Sequence, residues 1–270
     1  MSKELWQKLD KIRGFEFRDP KELADLLQKE GIHFRSSELT QWGQILATRF
    51  GRHIGLFHVP EWLAGIFDSL TKGIGATTIC DPWAGIGLLV AVVRDTTEAK
   101  RTLAFNRNDA EAALGKILVP DADWRIGEPI ELLDSVKNQI DVAVSILPMG
   151  AKTSVPLTIA TRTGESVELQ DDLGNLLLVA TSIRLSADGV GLFVVTPSFF
   201  FSQRSVFRHF NALGLGMEAA LALPPGTFAP YTNIPTYLVV VRKHTIGKMF
   251  VARLSNDATT NVQIVTNFKE

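Results

Sequence analysis

Between residues 77 and 243, short apolar segments alternate with segments whose apolar residues recur at helical spacing. This alternation predicts strands over residues 77–80, 103–105, 141–145, 191–195, 218–223 and 236–241. It predicts helices in between, over residues 88–93, 109–118, 173–185 and 204–213. Strands that alternate with helices favour a mostly parallel sheet covered on both faces. We therefore predict an α/β fold with a seven-stranded, mostly parallel sheet.

The segments on either side of this alternation are predicted to be smaller units. Residues 1–50 are predicted to form a helical N-terminal cap, in which Asp19 begins a helix and Pro20 occupies its first turn. The main domain is predicted over residues 51–245, with a first helix over residues 61–71. Residues 246–270 are predicted to be a C-terminal strand pair, or an extension that is truncated, so the chain is consistent with one domain of a longer protein.

The C-terminal strand pair is predicted over residues 250–254 and 262–265. The stretch of residues 151–172 is polar, with dispersed Thr, Ser and Gly, and is predicted to be a loop.

Composition narrows the class of protein. The chain is 46% hydrophobic and 21% charged, which suits one large core rather than a disordered chain. Its net charge is -1, so DNA binding would need a local basic face or a basic partner. The single cysteine, Cys80, excludes an internal disulfide and fits a reducing cytoplasm. We expect no signal peptide, because the N-terminal segment has no apolar h-region, and no membrane span, because no apolar run of about 18 residues is present.

The strongest local motif is the glycine turn, residues 81–87, which follows the first predicted strand. Asp81 ends the strand, and Gly85 and Gly87 precede the next helix. Glycines let the backbone approach a ligand closely, and the N-terminal amides of the helix would face that ligand. The spacing differs from that of the three-glycine dinucleotide fingerprint. The alternative is that the glycines serve only to pack the turn.

The glycine turn, D-P-W-A-G-I-G, resembles the D-P-x-C-G-S-G turn of the adenine amino-methylases, which use S-adenosylmethionine. Residues 55–60, G-L-F-H-V-P, are similar to the G-x-F/Y-x-T-P segment of the same family. Residues 222–243, A-L-P-P-G-T-F-A-P-Y-T-N-I-P-T-Y-L-V-V-V-R-K, are similar to the modification subunits of type I restriction-modification systems in particular. The resemblance covers residues 51–243 and implies a Rossmann-like methyltransferase fold.

The resemblance also implies a set of residues around S-adenosylmethionine: Phe57, Val59, Asp81, Ala84, Gly85, Gly87, Asn106 and Glu128. The family usually carries an acid at the end of the second strand, where it binds the ribose hydroxyls of the cofactor. Asn106 occupies that position here, so we predict that cofactor binding is weak or lost and that Asn106→Glu would strengthen it. Glu128 matches a residue that contacts the cofactor's adenine; the alternative is a solvated loop carboxylate.

The catalytic loop is where the sequence departs most from the family. The amino-methylases have N-P-P-F/Y at the end of the fourth strand, where the Asn side chain and the first proline's carbonyl accept hydrogen bonds from the target amine. Ile146, Leu147, Pro148 and Met149 occupy this place. Ile146 has no acceptor, Leu147 lacks the fixed φ of proline, and Met149 lacks the flat ring that stacks on a base.

We therefore predict an adenine DNA methyltransferase-like domain that is catalytically impaired and serves as a cofactor- or partner-binding module, a pseudoenzyme. The alternative is an active enzyme with a divergent catalytic loop; a methylase acting on RNA or a small molecule is a third hypothesis. No metal site is predicted. DNA binding is expected through a separate specificity subunit or a missing domain, and a protein partner or a homo-oligomer stays open.

Overall fold

The computed structural model describes residues 7, 8, 10–12, 14–35, 38, 39, 41, 59–137, 139–202, 205–244 and 247–270. Phe57 lies outside the described residues, together with the rest of the 51–58 segment. The same holds for residues 42–50 of the predicted N-terminal region.

The described part of the chain contains nine α-helices, ten strands and a short 3-10 helix, Val206–His209. The helices are α1 (Pro20–Lys29), α2 (Glu61–Thr71), α3 (Leu88–Thr97), α4 (Asp109–Leu118), α5 (Pro129–Asp134), α6 (Leu173–Ser182), α7 (Ser198–Phe201), α8 (Phe210–Leu213) and α9 (Ala258–Lys269). The strands are β1 (Thr78–Asp81), β2 (Arg101–Asn106), β3 (Asp123–Ile126), β4 (Ile140–Ile146), β5 (Leu157–Ala160), β6 (Ser166–Leu169), β7 (Leu185–Val195), β8 (Gly216–Ala222), β9 (Tyr237–Arg242) and β10 (Phe250–Arg253).

Eight of these strands form one sheet, in the order β10-β8-β9-β7-β4-β1-β2-β3. Only β9 runs antiparallel to its neighbours, β7 and β8, and the other adjacent pairs are parallel. Buried side chains form one cluster on each face of this sheet. The predicted α/β architecture is confirmed, and the carboxyl ends of β1, β2 and β4 meet at one edge, where open α/β sheets bind ligands.

Of the predicted C-terminal strand pair, the first strand is confirmed and the second was wrong; the first strand joins the main sheet, which has eight strands instead of the predicted seven. Residues 250–253 form β10, which pairs in parallel with β8, but residues 262–265 lie inside α9. The carboxylate of Asp257 caps this helix. Asn261 and Val265, four residues apart, are its buried side chains, so the apolar pattern has a helical period.

Residues 151–172 are not the loop that was predicted. They contain an antiparallel hairpin in which β5 pairs with β6, with Leu157 opposite Leu169. Gly164, with a φ of +85°, lies in its turn. Polar residues alternate along these short strands, so no continuous apolar run marks them in the sequence.

The helices agree more closely with the sequence pattern. α2 and α4 have the predicted bounds, 61–71 and 109–118. Asp19 caps α1 as predicted, since its carboxylate accepts hydrogen bonds from the backbone N–H groups of Lys21 and Glu22. α1 packs against α4, which fixes this helix of the N-terminal cap to the main domain.

Candidate functional site

A cavity of about 470 Å³ lies at the carboxyl ends of β1 and β4, within the size range of small-molecule sites. Its walls come from the glycine turn and the start of α3, the loop after β4, residues 231–234 before β9, and two further side chains. The lining residues are Asp81, Trp83, Ala84, Gly85, Ile86, Leu88 and Leu89; Ile146, Leu147, Pro148 and Met149; Tyr231, Thr232 and Ile234; and Val59 and Glu111.

The two glycines of the turn have different roles. Both have a positive φ, +53° at Gly85 and +86° at Gly87, which side-chain-bearing residues rarely adopt. A Cβ at Gly87 would lie 2.9 Å from the ring of Trp124, so this glycine allows close packing, and it is not on the cavity wall. Gly85 is on the wall, and no described atom lies within 4 Å of its Cβ position. The packing explanation thus holds for Gly87, and Gly85 keeps the wall open.

Asp81 is the buried acid at the end of β1. Its Oδ1 accepts a hydrogen bond from the Ser145 hydroxyl at 2.8 Å and from the Trp83 backbone N–H at 3.0 Å. Burial raises the pKa of Asp81 to about 7, against the lowering effect of these two donors. The side chain is 2% exposed and still reaches the cavity wall. It is therefore a carboxylate available to a ligand but costly to ionise without one.

Asn106, at the end of β2, uses its side chain within the protein. Its Nδ2 donates to the Gly85 carbonyl at 2.8 Å and to Glu111 Oε2 at 3.1 Å, and its Oδ1 accepts from the Asn108 backbone N–H at 2.8 Å. It is 4% exposed and does not line the cavity. The structure therefore places Asn106 behind the glycine turn rather than beside the ligand space.

Glu111 is a cavity residue that the sequence analysis missed. Asn108 caps α4, accepting hydrogen bonds from the backbone N–H groups of Ala110 and Glu111, and this cap fixes Glu111 in the first turn. Burial raises the pKa of Glu111, and the hydrogen bond from Asn106 opposes that rise. The sequence signal was a capping Asn followed three residues later by Glu.

The remaining predicted cofactor residues are divided. Val59 and Ala84 are buried and line the cavity. Glu128 is half exposed, does not line the cavity, and forms an ion pair with Arg107 at 3.5 Å. A role for Glu128 toward adenine stays a prediction.

The loop after β4 forms an apolar wall. Ile146 is 8% exposed and Leu147 3% exposed, while Pro148 and Met149 are half-buried, and all four line the cavity. None of the four side chains can accept a hydrogen bond, apart from the weak acceptor sulfur of Met149. The loop packs closely on α6, because a Cβ at Gly174 would lie 2.6 Å from the Pro148 carbonyl oxygen.

Tyr231 and Thr232, two hydroxyl-bearing residues of the segment before β9, also line the cavity. The Thr232 hydroxyl oxygen accepts the backbone N–H of Ile234 at 3.1 Å. Both residues lie in the 222–243 stretch that resembles the type I modification subunits, and the resemblance alone gave them no role. Within the described ranges, no helix is long and apolar enough to cross a membrane, and no cluster of three metal-ligating side chains occurs.

Comparison with solved structures shows the Rossmann-like methyltransferase fold. A protein of Listeria monocytogenes assigned to the class I S-adenosylmethionine-dependent methyltransferases superposes with a TM-score of 0.72 at 16% identity, over 99% of this chain and 97% of that one. The modification subunit of a protein assigned as a type I restriction enzyme of Vibrio vulnificus gives a TM-score of 0.62 at 16% identity, over 92% of this chain and 55% of that one.

A type I restriction-modification methyltransferase subunit of Streptococcus thermophilus gives a TM-score of 0.60 at 14% identity, over 79% of this chain and 53% of that one. The chain therefore spans about half the length of the type I subunits that it resembles. No protein-family model and no curated protein sequence matches the chain. At these identities the likeness shows the fold.

Proposed function

We propose that this chain is an S-adenosylmethionine-binding domain of the type I modification-subunit kind, in which methyl transfer to adenine is impaired. One observation carries the proposal. The same cavity has carboxylates beside the glycine turn, Asp81 and Glu111, and a wall of apolar side chains, residues 146–149, where the target amine would have to be held. The polar side suits a cofactor, and the apolar side lacks the groups that orient an amine.

The residues present fit the cofactor. S-adenosylmethionine supplies a methyl group on a positively charged sulfur, and it also carries an ammonium group and ribose hydroxyls that donate hydrogen bonds. Asp81 and Glu111 offer acceptors for such donors. Gly85 lines the same cavity and leaves its part of the wall open, because no described atom lies within 4 Å of its Cβ position.

The loop does not fit amine methylation. Orientation of reacting groups is a large part of catalysis of this kind, and it needs hydrogen-bond acceptors beside the amine. Ile146 and Leu147 supply none through their side chains. Ser145, the nearest hydroxyl in the strand, is fully buried and donates to Asp81. We infer a module that binds cofactor or a partner, and not a working adenine methylase.

Partners follow from the same comparison. Because the chain spans about half of the type I subunits, we propose that DNA is reached through a separate specificity subunit or a domain outside this chain. The net charge of -1 agrees with a domain that does not bind DNA by itself. Another protein partner or a second copy of the chain would supply the contact with DNA in the same way.

The test combines binding with transfer. Calorimetric titration with S-adenosylmethionine should show binding to the wild type. A radiolabelled methyl-transfer assay on unmethylated, mixed-sequence DNA should show no incorporation above a heat-killed control, with and without a co-encoded specificity subunit. Gly85→Trp, which fills the cavity wall, should abolish binding. The matched control is Gly164→Trp, which places the same side chain at another positive-φ glycine, in the β5–β6 turn, with no described atom within 4 Å of its Cβ position.

Each result separates the hypotheses. Absence of binding by the wild type would overturn the cofactor role. Incorporation that Gly85→Trp abolishes and Gly164→Trp leaves intact would overturn the loss of catalysis and favour an active enzyme with a divergent loop.

A further inference from the structure

The starting observation is that Asn106 has no hydrogen-bonding capacity left on its donor side. Its two amide hydrogens go to the Gly85 carbonyl at 2.8 Å and to Glu111 Oε2 at 3.1 Å. Its oxygen already accepts the backbone N–H of Asn108 at 2.8 Å. The oxygen keeps a second lone pair, but Asn106 is 4% exposed and does not line the cavity. Its amide bonds tie the end of β2 to the glycine turn and to α4. Asn106 therefore acts as a strut between these segments.

Glu111 is the carboxylate that this strut holds in place. It lies on the cavity wall, while Asn106 lies behind it. A carboxylate can accept about four hydrogen bonds. Within the residues that the structure describes, the one donor to the Glu111 carboxylate is the Asn106 amide, at 3.1 Å, and no cation forms an ion pair with it. A half-buried carboxylate with so few donors is stabilised by a ligand that brings more of them.

The geometry points to Glu111 as the residue that receives the ribose hydroxyls of an adenosyl ligand, so that this carboxylate selects a ribose carrying both hydroxyls. The inference rests on the proposed function and names the residue that sets its specificity. Two neighbouring hydroxyls are two donors at a spacing that the two oxygens of one carboxylate can accept together. The strut explains why the residue at the end of β2 need not itself be acidic.

The expected effect follows from the strength of hydrogen bonds to charged groups. Removing one such bond weakens binding by at least about tenfold. A ligand that lacks the 2′-hydroxyl and a protein that lacks the Glu111 charge should each show this loss. Because both changes remove the same interaction, the combined loss should be much smaller than the product of the two.

The experiment is calorimetric titration with S-adenosylhomocysteine and its 2′-deoxy form. The proteins are the wild type, Glu111→Gln, and the control Glu131→Gln, which alters an exposed carboxylate in α5 that does not line the cavity. The wild type and the control should prefer the ribose form by about tenfold or more. Glu111→Gln should bind the ribose form about tenfold more weakly and discriminate between the ligands by less than about threefold.

The outcomes separate this inference from the proposed function. If Glu111→Gln keeps wild-type affinity and discrimination while the wild type binds, the inference is overturned and the cofactor role stands. If the wild type binds neither ligand, both are overturned. If thermal melting shows that Glu111→Gln does not fold, Glu111→Asp replaces it. Glu111→Asp keeps the charge but withdraws it by one methylene, and it should show the same loss of discrimination.

Discussion

Replacing Asp81 with asparagine should stabilise the protein at neutral pH. Burial raises the pKa of Asp81 from 3.8 to about 7. Below about pH 4 the carboxyl is protonated in both the folded and the unfolded state. As the pH rises from about 4 to 7, the unfolded state releases its proton first, so the free energy of unfolding falls. Above about pH 7 both states are ionised and the loss is complete.

The magnitude of this effect is large enough to measure. A pKa rise from 3.8 to about 7 corresponds to about 4 kcal/mol of lost stability. The asparagine side chain cannot ionise, and its oxygen can still accept hydrogen bonds from the Ser145 hydroxyl and the Trp83 backbone. The free energy of unfolding of the variant should therefore be close to that of the wild type at pH 4 and about 4 kcal/mol higher at pH 8. For a domain of this size, this corresponds to a rise in Tm of about 8 °C or more.

The assay is thermal and urea unfolding of the wild type and Asp81→Asn between pH 4 and 8. The control is Asp141→Asn, because the pKa of Asp141 is lowered by hydrogen bonds from the backbone N–H groups of Thr77 and Thr78 and from the Ser186 hydroxyl, although burial opposes the shift. For Asp141 the sign is opposite and the change lies below about pH 4, where the wild type loses this contribution as the pH falls through the lowered pKa. Between pH 4 and 8 the difference in the free energy of unfolding between Asp141→Asn and the wild type should therefore stay nearly constant. A difference between wild type and Asp81→Asn that does not change with pH would refute the reasoning.

Four further substitutions test the packing and the polar contacts. Asn106→Glu, which the sequence alone predicts to strengthen cofactor binding, should weaken it in titration, because it sets a second carboxylate beside Glu111 and against the Gly85 carbonyl oxygen. Gly115→Ala should lower the free energy of unfolding, measured in urea, by about 1–3 kcal/mol, because the new Cβ would lie 2.2 Å from the Trp124 ring. Gly65→Ala, whose Cβ has no described atom within 4 Å, should raise it by about 0.5–1 kcal/mol. Asp19→Ala should cost about 1 kcal/mol through loss of the α1 cap.

Much of the fold could be predicted because its elements carry local signals. The helix over 109–118 has an Asn cap and helical spacing, and its bounds were predicted without error. The C-terminus could not be predicted in this way. The short apolar stretch at 262–265 fits a strand and a helix equally well. The choice depends on Asp257, which caps the helix, and on a core contact between Phe250 and Phe268, whose rings lie 5.6 Å apart.

The candidate site could be predicted as a place but not as a set of contacts. The glycine turn located the cavity, and Asp81, Ala84 and Gly85 line it. The resemblance to the amino-methylases also assigned Asn106, at the end of β2, to the cofactor site. Which atoms Asn106 bonds depends on where α4 sets Glu111 in three dimensions. A sequence position records the residue type at that point, and it carries no information on whether the hydrogen-bonding groups are already used.

If methyl transfer were found, the target amine would need a hydrogen-bond acceptor inside the cavity. Ser145 directly precedes Ile146, which occupies the position of the family's asparagine. In the structure its hydroxyl is fully buried and donates to Asp81 at 2.8 Å. The loop cannot move inward on its α6 side, because the Pro148 carbonyl already lies against Gly174. Among the described residues that line the cavity, the side chains with hydroxyl groups are Tyr231 and Thr232, so a neutral side-chain acceptor would come from the segment before β9. Thr232→Val would then reduce transfer more than Ser145→Ala at equal cofactor affinity, and the reverse order would show that the loop rearranges.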